Sequence, residues 1–349
     1  SEEYLRYDIK EIDYLIYYEL IASGIKALSV PIIYLVCGIM IINGHMQIGG
    51  LMAILTYSTT MLNYFQNVIY AVEGINGFLV PAKRIKEFLS LEEENLVCKN
   101  IVTFDYKKIE FRNVNVKFEN QVVFENLNFT IKRGENVYLV GSNGSGKSII
   151  TKLLLGFMEY EGNIFIDNVD LKDLNKTKLR ENIGVCFQTP YIFSDTIKNN
   201  IDCFENKKIE EIKQICKICE LDQEIEKNPN KYDELLGERG INLSGGQKQR
   251  INIARLLIQN KKVLIFDDVL SKLDNNTKNK ILENLNESFP NNINIFITHD
   301  LLKIPKGSRV IFIDNKTIID STNTKLQKDN KNYKKLIDIC ENVVGGLYE

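Results

Sequence analysis

The sequence predicts an α-helical membrane hairpin followed by an α/β domain built around a phosphate-binding loop. Two observations carry this expectation. Residues 27–72 form a tract of 46 positions without a single Asp, Glu, Lys or Arg. Farther on, the apolar run Val137-Tyr138-Leu139-Val140 leads into Gly141-Ser142-Asn143-Gly144-Ser145-Gly146-Lys147-Ser148, and then into Ile149-Ile150-Thr151-Lys152-Leu153-Leu154-Leu155, which has a helical pattern. At 349 residues the chain has room for about two domains.

In chain order, residues 1–26 mix charges with Tyr, Leu and Ile at helical spacing and read as a cytosolic extension feeding a first span. A helix needs about 20 apolar residues to cross a bilayer core. The charge-free tract therefore holds two spans, about 20–42 and 50–72, with the turn formers Asn43, Gly44, Gly49 and Gly50 between them. A buried hairpin of a soluble protein would favour segments of about 10–14 residues. Asn63, Gln66 and Asn67 in the second span need other helices or a water-filled path beside them, so the hairpin is expected to belong to a larger bundle and to meet lipid on its other faces. Gly74, Gly77 and Pro81 then loosen the pattern, and Lys83-Arg84-Ile85-Lys86 supplies positive charge. By the positive-inside rule that end is cytoplasmic and the turn around His45 faces outside. The expected location is the cell membrane, multi-pass, with the α/β domain in the cytoplasm.

Residues 91–107 start acidic and polar and read as a linker between a membrane part, 1–90, and a nucleotide-binding domain, 108–349. From residue 108 the texture changes to short apolar strands with glycine turns. Residues 109–118, 128–131 and 162–167 are strand-like, 210–220 and 243–259 are helical by pattern, and 262–266 and 294–298 are buried-strand runs ending at polar residues. Strands and helices alternating around such a loop imply an α/β core with its chemistry at strand C-termini.

Composition narrows the function classes. Lys plus Arg number 44 and Asp plus Glu 46, a balance that argues against a general nucleic-acid-binding surface, and no nucleic-acid partner is expected. The seven cysteines are odd in number and spaced without a framework. Cys216-Lys217-Ile218-Cys219 is a single CxxC inside a helical pattern, so a reduced helix is expected there rather than a zinc site. The chain opens on Ser1 instead of Met, and the expectation is a fragment of a longer polypeptide.

Gly141 through Ser148 is GxxxxGKS in a strand-loop-helix context. Gly141, Gly144 and Gly146, with Ser142, Asn143 and Ser145 between them, let backbone N–H groups turn inward around a triphosphate, and the helix N-terminus adds its positive dipole end. Lys147 is expected to reach the β/γ-phosphates and the Ser148 hydroxyl to ligate Mg²⁺, so ATP and Mg²⁺ are the expected ligands. Lys262-Val263-Leu264-Ile265-Phe266-Asp267-Asp268 is a buried strand ending in two carboxylates. Asp267 stands where a strand-end carboxylate can hold Mg²⁺, and Asp268 could polarise an attacking water. His299 ends the strand at 296–298, where an imidazole could reach the γ-phosphate or its water.

With Asn242-Leu243-Ser244-Gly245-Gly246-Gln247-Lys248-Gln249-Arg250 the sequence resembles the ATP-binding-cassette superfamily, whose signature is LSGGQ before a helix. The phosphate-binding loop, Gln188, LSGGQ, Asp267, Ser271-Lys272-Leu273-Asp274 and His299 occur in the family's order. The resemblance implies a helical subdomain, about 189–257, and two such domains sandwiching two ATP molecules head to tail. It implies that Ser244, Gly245, Gly246 and Gln247 cap the γ-phosphate bound to the partner's loop. It also implies that Gln188 touches Mg²⁺ and relays to the membrane part, that Asp274 is the D-loop aspartate, and that Phe118 stacks on adenine. Leu236-Gly237-Glu238-Arg239-Gly240 looks like the X-loop of exporters, and residues 38–85 resemble the last two helices of an exporter's transmembrane domain, with the first four absent.

The sequence departs from the family where the residue after Asp267 is usually Glu. Asp268 is one methylene shorter, and placement errors near 1 Å can cost about 10²-fold in rate. Such an Asp resembles heterodimeric exporters in which one half carries this change. The expectation is therefore the weakly hydrolysing half of a heterodimeric exporter, moving an unknown substrate. A homodimeric exporter with slow ATPase and an ATP-gated regulatory subunit stand as alternatives.

Overall fold

The computed structural model describes residues 2–91, 94, 105–118 and 121–345. Most of the expected linker at 91–107, with Cys98 in it, lies outside the described residues. The chain divides into two compact units, Ser1–Glu94 and Asn95–Glu349.

The first unit is a helical hairpin, α1 (Glu2–Ile42) and α2 (Ile48–Leu89). The turn between them uses Gly44 at φ +72°, a left-handed backbone that costs glycine nothing. Among the described residues one segment, Ser23–Ile42, is long and apolar enough to cross a membrane. The expected second span lies inside α2 but does not reach the same apolarity, because Asn63, Gln66, Asn67 and a run of threonines dilute it. Those threonines bond back to their own helix: Thr56 to the Met52 carbonyl and Thr59 to that of Leu55, both at 2.9 Å, and Thr60 to that of Thr56 at 2.7 Å. Lys26 of α1 donates to Asn63 Oδ1 of α2 at 2.7 Å, tying the two helices together. Leu28, Ile32, Leu35 and Ile39 of α1 are exposed, as are Tyr57, Met61, Tyr64, Phe65 and Val68 of α2. The last five recur at helical spacing and form one apolar stripe.

One expectation is corrected here. Gly74, Gly77 and Pro81 do not loosen the second helix, which runs through all three to Leu89. Glycine costs a helix about 1 kcal/mol and proline about 3. In a helix of 42 residues the intact turns on either side carry that cost.

The second unit is α/β. It opens with β1 (Lys108–Phe118) and β2 (Gln121–Lys132), then β3 (Asn136–Gly141), the glycine-rich loop and α3 (Lys147–Leu154). The strands β4 (Glu161–Ile166) and β5 (Val169–Asp170) follow, then α4 (Lys176–Asn182) and β6 (Ile183–Cys186). Four helices come next: α5 (Ile197–Asp202), α6 (Ile209–Ile218), α7 (Asp222–Ile225) and α8 (Gly245–Leu257). The chain returns through β7 (Val263–Asp267), α9 (Asn275–Ser288), β8 (Ile293–Ile297), β9 (Arg309–Asp314) and β10 (Thr317–Thr322). It ends in α10 (Asn323–Asp329) and α11 (Lys331–Gly345).

These strands form an antiparallel sheet, β2-β1-β4-β5, and a six-stranded sheet, β10-β9-β3-β8-β7-β6, that is parallel except for β10. The parallel sheet is buried on both faces, which is why its strands read as unbroken apolar runs. Alternate residues enter different cores. Val137, Leu139, Val263, Ile265, Ile293, Ile295 and Ile297 pack with the antiparallel sheet and Ile150, Leu153 and Leu154 of α3. Tyr138, Val140, Leu264, Phe266 and Phe296 pack into a second core with Ile201, Ile212, Ile251, Leu256 and Ile281 from the helices. Tyr138, Phe296 and Phe266 stack across neighbouring strands, with ring centroids 5.1 and 4.9 Å apart.

Cys216 and Cys219 are unpaired and buried in this second core, and burial pushes the Cys216 thiol up to about 12. Among the described residues no group of His, Cys, Asp and Glu is arranged to hold a metal by itself.

Candidate functional site

The C-terminal ends of three neighbouring parallel strands carry the expected site. β3 ends in the loop from Gly141, β7 in Asp267 and Asp268, and β8 in the segment leading to His299. Their adjacency in the order β3-β8-β7 brings together residues far apart in sequence. A cavity of about 570 Å³ is lined by Gly141, Ser142, Asn143, Asp268, Ser271 and His299, closed on one side by Leu336, Ile339 and Cys340 of α11.

The loop is shaped by its glycines. Gly144 and Gly146 hold φ of +78° and +96°, in the left-handed region that disfavours side chains. A Cβ on Gly146 would lie 2.7 Å from the Phe124 ring, and one on Gly141 would lie 2.9 Å from the Ile313 carbonyl oxygen. Lys147 is buried at the start of α3, and its Nζ donates to the Gly141 and Ser142 carbonyls, each at 2.8 Å. Burial pushes this ammonium down to about 8, against the pull of Asp267 and Asp268. Ser145 Oγ is buried in the same loop without a partner. Ser148 is exposed in the first turn of α3.

The carboxylates differ in surroundings. Asp267 is half-buried, and burial, then the charge of Asp268, pushes its pKa up against the pull of His299 and Lys147. Asp268 is only 8% exposed and takes a left-handed backbone, φ +51°. Gln188 Nε2 donates to Asp268 Oδ2 at 2.8 Å, while Asp268 Oδ1 is buried with no partner. His299 is held below its ordinary value by burial first and by the Lys147 charge second, with Asp268 and Asp267 opposing. Lys147, Asp267, Asp268 and His299 therefore share one electrostatic field. Burial of donor and acceptor groups without partners beside an open cavity fits a bound triphosphate with Mg²⁺. Ser148, Asp267 and Gln188 offer oxygen ligands of the hard type that cation prefers.

The signature residues stand elsewhere. Ser244 is the N-cap of α8 in a reciprocal capping box: its hydroxyl accepts from the Gln247 N–H at 3.2 Å, and Gln247 Oε1 accepts from the Ser244 N–H at 2.8 Å. Gln247 Nε2 also donates to Glu224 Oε2 at 3.0 Å. A Cβ on Gly245 would meet nothing within 4 Å, and on Gly246 nothing nearer than 3.8 Å. Among the described residues no packing requires glycine at either position. None of Ser244, Gly245, Gly246 and Gln247 lines the cavity beside the glycine-rich loop.

Phe118 ends β1 and is exposed, outside that cavity. Asp274 is the N-cap of α9, its carboxylate accepting from the Thr277 N–H at 2.9 Å. Reading the sequence did not pick out Ser271, whose hydroxyl donates to the Asp268 carbonyl at 2.9 Å, as a lining residue. It also passed over the wall supplied by α11. The only available signal was amphipathic spacing in that helix.

Comparison with known proteins gives a consistent result. The family model described as ABC transporter matches residues 124–271. An ATP-dependent lipid A-core flippase of Desulfotalea psychrophila is 30% identical over 321 residues, covering 89% of this chain and 55% of the flippase. A heavy metal tolerance protein of Schizosaccharomyces pombe is 30% identical over 345 residues, covering 95% of this chain and 41% of that protein. The structure of a bacterial Atm1-family ABC exporter with ATP bound aligns with a TM-score of 0.75 at 25% identity, over 96% of this chain and 60% of the exporter chain. The chain spans about half the length of the curated relatives it matches.

Proposed function

The chain carries an ATP-binding domain of the ABC transporter family, and from that premise we propose that it is the ATP-hydrolysing part of a membrane exporter, active as a dimer of two such cassettes. The observation that carries the hydrolytic reading is Asp268 Oδ1: a buried carboxylate oxygen without a partner, on the wall of the cavity formed by Ser142, Asn143 and His299. In this reading the N–H groups around Gly144 and Gly146 and the charge of Lys147 hold the β/γ-phosphates. Ser148, Asp267 and Gln188 hold Mg²⁺, which neutralises phosphate charge when bound. Gln188 fixes one oxygen of Asp268, which leaves the other to accept a hydrogen bond from the attacking water. Burial disfavours the charged form of His299, whose imidazole can hydrogen-bond the γ-phosphate or its water. Phe118 supports adenine, and Asp274 holds the start of α9 beside the site.

The open space at Gly245 supports a signature that faces outward, toward a nucleotide on a second cassette, with Ser244, Gly246 and Gln247 beside it. The finer reading is a heterodimer in which this half hydrolyses slowly, because Asp268 is short. A slow homodimer is the alternative. The exported substrate is proposed to cross through a larger helix bundle that includes α1 and α2, both spanning the lipid, with the ATP-binding domain cytoplasmic.

The direct test is nucleotide affinity of the full chain with and without Lys147. Lys147→Ala removes charge-assisted contacts worth about 1.5–3 kcal/mol each, so ATP affinity should fall at least tenfold. Unchanged affinity would sink the assignment of the loop.

A further inference from the structure

We propose that Lys278 and Lys303 are positioning residues that clamp the loop after β7 to the loop after β8, and so fix where His299 stands at the nucleotide. This deepens the ATPase reading above and rests on it.

The two loops are joined at their base, where the Asp268 N–H donates to the Ile297 carbonyl at 2.8 Å. Beyond that bond they separate, one into a single helical turn at Leu270–Lys272, the other into one at Leu301–Lys303. Two lysines rejoin them. Lys303 Nζ donates to the Ser271 carbonyl at 2.9 Å and pairs with Asp300 Oδ2 at 3.1 Å. Lys278 Nζ, from the first turn of α9, donates to the Lys303 carbonyl. Asp300 follows His299 directly, so the histidine is bracketed by the Asp268–Ile297 bond on one side and the Asp300–Lys303 pair on the other.

The arrangement is costly, and the cost is informative. Lys278 is 4% exposed, and burial pushes its ammonium down to about 8, with the Lys303 charge adding to the effect and Asp300 opposing it. Both lysines line the same cavity of about 20 Å³, bounded by Tyr138, Phe266 and Phe296 of the aromatic stack. An apolar side chain in place of Lys278 could fill such a space without burying a charge beside the partly exposed Lys303. What the ammonium groups add is donors that reach backbone carbonyls across the gap. Lys278 also lies one turn from Asp274, so the clamp connects His299 with the segment that begins α9.

The test uses the full chain with Lys278→Met and Lys303→Met, and Lys303→Arg as the conservative control. The chain has two histidines, so in a His45→Asn background the remaining imidazole signal in a magnetic-resonance spectrum is that of His299. Both Met variants should shift or broaden that signal in the nucleotide-free chain, and should lower ATPase kcat about tenfold while KM for ATP moves less than twofold. Lys303→Arg should restore much of both. Asp300→Asn, close in size to the native residue, should act in the same direction if either Met variant fails to fold. An unmoved His299 signal with kcat within twofold of the parent would overturn the clamp. A parent chain that neither binds nor hydrolyses ATP would overturn the ATPase reading instead, and the nucleotide-free His299 signal would still decide the clamp.

Discussion

In the proposed function, Asp268 is the residue whose replacement separates a slow half from a working homodimer. Its left-handed backbone suits a short polar side chain, and Gln188 pins one of its oxygens. If its reach leaves the water poorly placed, Asp268→Asn should lower ATP turnover of the assembled transporter less than threefold. If Asp268 is the working base of a homodimer, the same change should cost about 10²–10⁴-fold. Steady-state ATPase, with whatever subunit co-purifies, separates the two. The placement of Asp267, Asp268 and His299 at strand ends, and of Lys147 after the glycine-rich loop, was legible in the sequence because apolar runs precede them. The Gln188–Asp268 bond was not, since it joins loops 80 residues apart whose approach depends on strand order. Lys278 and Lys303 were equally hidden. A lysine after Asn275-Asn276-Thr277 reads as a solvated helix face, and only the neighbouring turn shows that it is buried.

At the scale of single elements, α8 and α3 both begin with glycine beside a polar loop, yet for different reasons. Gly146 is required by its own chain: its backbone is left-handed and Phe124 and Val123 crowd it. Gly146→Ala should therefore lower the unfolding midpoint of the cassette, with a penalty of about 1–3 kcal/mol. Gly245 is required by nothing among the described residues. Gly245→Ala should leave the unfolding midpoint unchanged or slightly raised, since alanine is the better helix former, while transporter turnover falls at least tenfold. Calorimetry alongside ATPase assays would check both, and a loss of turnover matched by a loss of stability at Gly245 would count against an outward role. Strand positions were legible because both faces of the parallel sheet are buried. The course of α2 beyond Gly74 was not, because helix length outweighs the local propensities of Gly77 and Pro81.

For the whole molecule, the orientation of the hairpin is the property with the widest reach. If the positive-inside rule puts Lys83, Arg84 and Lys86 on the cytoplasmic side, a cysteine replacing His45 should react with an impermeant thiol reagent added to intact cells, and one replacing Lys83 should react only after lysis. Both positions are exposed. Reaction at both only after lysis would mean that the hairpin does not cross. This pattern was partly legible: the uncharged tract marked the hairpin, while the polar face of α2 is what sets its two helices apart in apolarity.

Burial shields four of the native thiols from such a reagent. Cys37, Cys186, Cys216 and Cys219 are all buried, and in the ATP-binding unit burial raises the last three thiols far above their ordinary value. A maleimide reacts with the thiolate, so these side chains are shielded by both access and ionisation. Cys203, half-buried, is raised in the same direction. Cys340 is partly exposed, on the wall of the cavity beside His299. Among the described cysteines, Cys340 is therefore the one through which an alkylating probe reads α11 at that cavity, in the native sequence and without any engineered label.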